Sequence, residues 1–407
     1  MRPTGRLHLG HYFGALSNWL KLQEEYDCYF FVADWHALTT HYEDTSSVAE
    51  DTLQVAIDWL SVGVDPSKST LFIQSSVLEH AELHVLLSMI TPLGWLERVP
   101  TYKEQVENLK ERDLGTYGFL GYPLLQSADI VIYDADFVPV GDDQVPHVEL
   151  AREVVRRFNA MYSMPSALSK REVAELKKAF DVSERAGIPQ AGDDRQMLLR
   201  SMLNAPVDYR LSVFKNAGLK LRDVLCEPQA MLTETPRLPG TDGRRMAKSY
   251  GNAIWLSDTP EDIRLKVRNT MTDPQRQRRS DPGRPEVCPV FSWHKLFSRP
   301  ETVARIDRDC RTAAIGCVDC KAQVADALVN WIGPVRARRK GYEANPQQVW
   351  DILDAGSKKA EKAAKKTMKR VRNAIFRWDE MRKSSGATAA IQGSESAVAS
   401  QKERGDR

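Results

Sequence analysis

The sequence predicts an α/β chain built on a doubly wound parallel sheet, followed by a helical C-terminal domain. Three observations carry this. Short apolar, β-branched runs at 27–33 (DCYFFVA), 70–75 (TLFIQS) and 129–133 (DIVIY) read as buried parallel strands. Segments with helical spacing, 47–62 (SVAEDTLQVAIDWLSV) and 78–91, lie between them, so strand and helix alternate through the first part of the chain. From 259 onward the β signal gives way to charged helical segments.

Taken in order, 1–164 reads as the first α/β domain, closing with a helix at 147–161 (HVELAREVVRRFNAM). Residues 165–225 are charged and helical with little β signal, and are read as an inserted helical hairpin or subdomain. The α/β domain resumes over 226–258, and a helical domain spans 259–383. Its last helix, 357–383, is dense in Lys and Arg, which suits either phosphate contacts or a solvated charged face. The tail 384–407 has no apolar periodicity and is predicted to be disordered.

Composition sets bounds on function. The 407 residues are 42% hydrophobic and 28% charged, with a net charge of +2, so any polyanionic partner must meet a local basic patch. No stretch approaches the length of a membrane span, and the polar, glycine-bearing start does not resemble a secretory signal. Six cysteines are too few for a disulfide scaffold in a chain this long, and four of them crowd between Cys288 and Cys320. A reducing compartment, the cytoplasm, is expected.

Two separated motifs point to a bound phosphate chain. In Pro3-Thr4-Gly5-Arg6-Leu7-His8-Leu9-Gly10-His11, Gly5 permits a tight turn and Gly10 lets a flat adenine or ribose approach the main chain. His8 and His11 stand three apart, so on an opening helical turn they share a face and can donate to phosphate oxygens. Far downstream, Gly240-Thr241-Asp242-Gly243-Arg244-Arg245-Met246-Ala247-Lys248-Ser249 places a compact cation and a hydroxyl on a glycine-flanked loop. Such groups stabilise the charge that builds on departing pyrophosphate.

His-Leu-Gly-His near the start and Met-Ala-Lys-Ser downstream together resemble the paired signatures of class I aminoacyl-tRNA synthetases. Arg245 and Ala247 stand where that family often has Lys and Ser, while Lys248 is retained. The resemblance implies a Rossmann-like sheet, use of ATP with Mg²⁺, and catalytic roles for His8, His11, Lys248 and Ser249. It adds Arg2, Thr4, Gly10, Asp143 and Met246 to His11 and Lys248 as the ATP-binding group.

The stretches 118–130 (GFLGYPLLQSADI) and 138–147 (VPVGDDQVPH) resemble the tryptophanyl and tyrosyl branch, and the order of motifs resembles its tryptophanyl, bacterial-type side. That resemblance implies that Asp129 accepts the indole N–H and that Tyr122 and Gln144 hold the α-amino end. Asp143 is then expected near the ribose, and Gln126 in the pocket wall, where an apolar residue is the usual choice. Physically, an indole needs one acceptor in an apolar pocket, and a buried acceptor rejects phenylalanine because its carboxylate would be left unpaired. On the reading of 129–133 as a strand, Asp129 begins it. His36 follows the 27–33 strand and is expected at its C-terminal end, where α/β sheets place their sites.

Cys288, Cys310, Cys317 and Cys320 follow a C-x21-C-x6-C-x2-C spacing. Structural zinc sites commonly use two short knuckles, and only one is present, so unevenly spaced thiolates favour a [4Fe–4S] cluster with zinc as the alternative. The pattern also resembles that of a subset of tryptophanyl-tRNA synthetases carrying such a cluster near the anticodon-binding end.

Over roughly 1–165 and 226–380 the resemblance implies ATP-dependent activation of L-tryptophan, transfer to tRNA(Trp), and a homodimer with tRNA lying across both subunits. Two other readings stay open at this point: a tyrosyl-specific enzyme, and a non-catalytic paralogue that binds RNA or senses redox state. One further expectation concerns the start. A sheet of this kind takes a strand ahead of the Pro3-Thr4-Gly5 turn, where only Met1 and Arg2 stand, so Met1 is predicted to be an internal methionine preceded by an apolar strand.

Overall fold

A computed structural model of the chain describes residues 1–100, 102, 115–165, 170–179, 202, 205–232 and 238–378. The first turn is made by Gly5, whose φ of +94° is open to glycine at little cost. Leu7 and Leu9 then enter the core, and α1 (Leu9–His11) runs through a π-turn into α2 (Ser17–Leu22). Strand β1 (Cys28–Val32) pairs in parallel with β2 (Ser69–Ile73), in the register Cys28 to Ser69 through Val32 to Ile73. The crossover carries α3 (Asp34–His41) and α4 (Val48–Val62). Helix α4 starts with Glu50 and Asp51 in its first turn, which suits the helix dipole, and stops at Gly63 in the left-handed region.

After β2 come α5 (Glu79–Ser88), α6 (Leu93–Leu96) and α7 (Tyr117–Val131). The last of these corrects the reading of 129–133 as a strand: Asp129 stands in the final turn of α7, and neither begins a strand nor caps a helix N-terminus. The Thr116 hydroxyl, accepting from the Phe119 N–H at 3.2 Å, starts that helix. Buried over much of its surface, α7 shows a continuous apolar run that a five-residue window cannot tell from a buried strand.

Strand β3 (Phe137–Val140) leads into α8 (Val145–Tyr162), the helix expected there. At the ends of the inserted segment, β4 (Met164–Pro165) pairs antiparallel with β5 (Leu221–Arg222). Within it, α9 (Lys170–Ala179) and α10 (Val207–Asn216) bury Leu176, Val213 and Phe214 in a small cluster of their own with Met202. Strand β6 (Gln229–Leu232) then pairs in parallel with β3. Between the β1–β2 and β3–β6 pairs lies a cavity of about 410 Å³ lined by Tyr29, Phe31, Tyr133, Phe137 and Pro139, among others. Met1 adds one parallel rung to β1, its amino group donating to the Phe31 carbonyl at 2.7 Å and its carbonyl accepting from the Ala33 N–H at 2.8 Å.

The C-terminal part is helical: α11 (Pro260–Asn269), α12 (Pro289–Phe297), α13 (Pro300–Arg311), α14 (Cys317–Ala344) and α15 (Pro346–Phe376). Helix α15 begins eleven residues before the basic segment read from the sequence, and lies across β2 and α5 rather than apart from the sheet. Its buried stripe of Val349, Leu353, Ala360, Ala364, Met368 and Val371 faces that contact. The predicted tail 384–407 lies outside the described residues. Among those described, no helix is long and apolar enough to cross a membrane.

Helix α15 comes so near β2 that a Cβ on Gly356 would fall 1.8 Å from the Leu71 carbonyl oxygen. A backbone atom cannot swing aside as a side chain can. Gly356→Ala is therefore expected to destabilise the chain by about 1–3 kcal/mol, the usual range for overpacking, read as a lower midpoint in urea unfolding.

Candidate active site

The two phosphate-type motifs meet. His8 makes an antiparallel bridge with Trp255, and its ring packs on that of His11 with centroids 3.8 Å apart. The His8 N–H donates to His11 Nδ1 at 3.2 Å, which leaves the His11 proton on Nε2. Burial, with the nearby charges of Lys248 and Arg245, holds His8 down to about 4; burial, His8 and the same two cations hold His11 down to about 3. Both rings are thus neutral N–H donors at neutral pH. Gly10 is required here because a Cβ would come within 2.8 Å of the His8 ring.

Lys248 reaches across to the first turn. Its Nζ donates to the carbonyls of Thr4 and Gly5 at 2.8 and 2.9 Å, and burial lowers its pKa. Ser249 follows it, exposed, in a short 3₁₀ turn. Met246 is buried in the core, where it packs against Gly10, so its side chain shapes the floor and offers no polar contact. The loop is organised by Asn252, a residue the motif reading missed. Asn252 donates to Asp242 Oδ1 at 2.7 Å and to the Arg245 carbonyl at 3.1 Å, and accepts from the Ala247 N–H at 2.9 Å. A Cβ on Gly240 would collide with it at 2.3 Å, so that glycine and Asn252 belong together.

A second constellation surrounds Asp129, which is 4% exposed. His36 lies on α3 just past the C-terminal end of β1, the strand-end position expected for it, and bonds Asp129 Oδ2 through Nε2 at 2.7 Å. Gln74 donates to both carboxylate oxygens at 2.8 and 2.9 Å, and His80 Nδ1 bonds Oδ1 at 2.6 Å. Burial works against the carboxylate's charge, but the His36 and His80 hydrogen bonds outweigh it and hold the group well below the usual carboxylate range. The residue is therefore an ionised acceptor in an aromatic setting of Phe31, Phe72 and Tyr133.

A family model described as tRNA synthetases class I (W and Y) matches residues 1–179 and 211–332. This chain belongs to that family. A tryptophan–tRNA ligase of Ralstonia nicotianae is 49% identical to it over 395 residues, covering 92% of this chain and 96% of that protein. One of Aquifex aeolicus is 40% identical over 445 residues, covering 92% and 98%. Among solved structures, tryptophanyl-tRNA synthetase from Campylobacter jejuni complexed with ADP and tryptophan is similar with a TM-score of 0.70 at 27% identity, covering 92% of this chain and 98% of that one. The Rossmann-like α/β class expected from the sequence is that of these relatives.

The remaining expected site residues divide. Tyr122 is buried on α7, its ring 5.7 Å from that of His147. Gln126 is half-buried one turn before Asp129 on the same helix. Asp143 and Gln144 form a 3₁₀ turn after β3, where the Gln144 amide donates to Asp143 Oδ2 at 3.0 Å. Arg2 and Thr4 are exposed beside the first turn, and Thr4 is held through Lys248. Gln74, His80 and Tyr133 escaped the sequence reading. The one available signal was the position of Gln74 directly after β2, at the strand end where such sites form.

Cys288, at the N-cap of α12, and Cys310, near the end of α13, approach Cys317 and Cys320 on the first turn of α14. Cys288, Cys310 and Cys320 pack around Phe291, Ile306 and Ile315. Burial, with the fields of the other three cysteines, pushes the Cys320 thiol up to about 12. Arg276 Nη1 donates to Cys310 Sγ at 3.7 Å. Among the described residues, no three His, Cys, Asp or Glu side chains stand in an arrangement that would hold one metal ion.

Because Asn252 fixes the loop and not the substrate, Asn252→Ala is expected to lower the rate of amino-acid-dependent ATP–pyrophosphate exchange about tenfold or more, with little change in the amino acid's KM.

Proposed function

We infer that this chain is a tryptophan–tRNA ligase: it joins L-tryptophan to ATP as tryptophanyl-adenylate, then passes the tryptophanyl group to the 3′ end of tRNA(Trp). One observation carries the choice of amino acid, the buried, ionised Asp129 carboxylate set among aromatic rings. It supplies the single acceptor an indole N–H needs, and the relatives named above support the same reading. A tyrosyl specificity has no comparable support among them.

In the first step the tryptophan carboxylate attacks the α-phosphorus and pyrophosphate leaves, with Mg²⁺ accompanying ATP. The neutral N–H groups of His8 and His11, with the Lys248 ammonium and the Ser249 hydroxyl, stabilise the phosphate charge as it shifts to the leaving group. Arg2, Thr4, Gly10, Asp143 and the buried Met246 complete the nucleotide site. Tyr122, Gln126 and Gln144 join His36 and Asp129 around tryptophan. In the second step a ribose hydroxyl of the tRNA attacks the carbonyl and AMP leaves. Across the standard amino acids, pyrophosphate exchange is expected to proceed only with tryptophan. Asp129→Asn is expected to raise its KM about tenfold or more, and an unchanged KM would overturn the assignment.

Lys358, Lys362, Lys366 and Lys369 form an exposed stripe along α15, which supports contacts to the tRNA backbone. The exposed apolar residues Leu78, Val85, Met89, Leu93 and Tyr117 on neighbouring elements suit a face covered by a second copy, in a cytoplasmic homodimer.

The four cysteines fit a [4Fe–4S] cluster better than zinc. Cys288, Cys310 and Cys320 pack in one apolar nest, Cys317 shares the first turn of α14 with Cys320, and a cube binds its thiolates at separate corners. When bound, the cluster supplies the positive charge that lets four mutually repelling thiolates ionise in a buried setting. Cys288, Cys310, Cys317 and Cys320 would hold it and Arg276 would donate toward Cys310. Chain purified without oxygen is expected to be brown, with iron–sulfur absorbance that Cys317→Ser diminishes; a colourless, zinc-loaded protein would refute the cluster.

A further inference from the structure

The Asp129 carboxylate is not used evenly, and this rests on reading it as the indole acceptor. Its Oδ1 is taken by two side chains with no solvent exposure, Gln74 at 2.8 Å and His80 at 2.6 Å. Its Oδ2 is shared between Gln74 at 2.9 Å and His36 at 2.7 Å, and the His36 side chain is 12% exposed. One oxygen is therefore locked inward, while the other faces the only donor of the three that touches solvent.

The lock continues one residue deeper. His80 Nε2 lies 2.6 Å from the Tyr133 hydroxyl. Asp129 accepts only, so His80 Nδ1 donates to it; in the tautomer this selects, Nε2 accepts from the Tyr133 O–H. The hydroxyl thus holds that tautomer and the orientation of the ring. Gln74 is fixed by the same carboxylate: turning its amide would set its oxygen against Asp129, and in the present orientation that buried oxygen has no partner. A group that leaves its own oxygen unpaired to donate to a carboxylate serves the carboxylate's position.

We propose that Tyr133, His80 and Gln74 are positioning residues that fix Asp129 from behind, so that Oδ2 alone is presented to an indole N–H and His36 is the donor that yields to it. In this role the three act through Asp129 and not on the substrate. They set selectivity for a ring bearing an N–H by keeping the acceptor from turning its bonded edge into the pocket.

The test compares kcat/KM in pyrophosphate exchange for tryptophan and for 3-benzothienyl-alanine, which keeps the bicyclic shape but has sulfur in place of the N–H. Tyr133→Phe and His80→Leu are expected to narrow the preference for tryptophan about tenfold, through the KM for tryptophan, with the KM for ATP unmoved. His80→Asn, which keeps a donor near the Nδ1 position, is expected to restore most of the preference lost in His80→Leu. Tyr133→Phe removes one hydroxyl only and serves if His80→Leu does not fold. If Tyr133→Phe and His80→Leu lower kcat equally for both amino acids and leave the preference intact, the relay is refuted. Asp129→Asn separates the two claims. If it too leaves the preference intact, the indole assignment itself has failed; if it abolishes the preference while Tyr133→Phe and His80→Leu leave it intact, only the relay has.

Discussion

The arrangement turns on one buried carboxylate. Asp58, on α4, has no solvent exposure and accepts from the Leu7 N–H at 2.7 Å and from the Arg339 guanidinium on α14. Burial alone would leave it badly placed, and it pushes the carboxyl up to about 6 even with Arg339 and Leu7 pulling the other way. Arg339 also donates to Gln54 on α4 and to Glu343 at 3.0 Å. Breaking one side of such a pair costs roughly 3–5 kcal/mol because the other charge is left stranded. The backbone just before His8, the crossover helix α4 and helix α14 are thereby tied at one point. That bond carries little weight as a net source of stability; its consequence is geometric. His8 cannot shift without moving Leu7, and Leu7 is held to an element that begins at the cysteines.

This tie joins the helical C-terminal part to the turn that carries His8. Helix α14 starts at Cys317 and reaches Asp58 through Arg339, while α15 returns along β2 at a distance only Gly356 permits. Both ends of the β1–β2 unit, the motif turn and the outer strand, are braced by helices that follow the cysteine nest in the chain. Close packing transmits displacement rather than absorbing it.

Elements set by local pattern were legible in the sequence, and those set by partners distant in the chain were not. Strands β1 and β2 could be read because their β-branched runs are short and bounded by helical periodicity. Asp129 was found for its chemistry yet placed on the wrong element, since α7 is buried on so many sides that its polar punctuation is lost. The two phosphate-type motifs were legible as a pair: either stretch alone says little, and their order along the chain carried the reading. Asn252 and His80 were invisible for the opposite reason. Each is a single ordinary residue whose role exists only through groups brought together by the fold: Asp242 and Arg245 in one case, Asp129 and Tyr133 in the other.

The same contrast bears on how the nucleotide site closes. Lys248 spends its donors on the neutral carbonyls of Thr4 and Gly5, so its loop already lies against the first motif. A phosphate oxygen is a stronger acceptor for an ammonium than a peptide carbonyl, because both partners are then charged. On the proposed function, engaging ATP would exchange one set of acceptors for a better one within reach of the same side chain. Asn252 keeps the loop's shape, its side chain bonded to three points of the loop and its carbonyl accepting from the Thr241 N–H. The lowered pKa of Lys248 and the neutrality of His8 and His11 share one cause, burial in the pocket; Lys248 and Arg245 add to it at the two histidines, while Asp51 and Asp58 oppose it at Lys248. A pocket of that kind disfavours added protons and favours added anions, and the loop and the motif turn are held together at the point where such an anion would be shared.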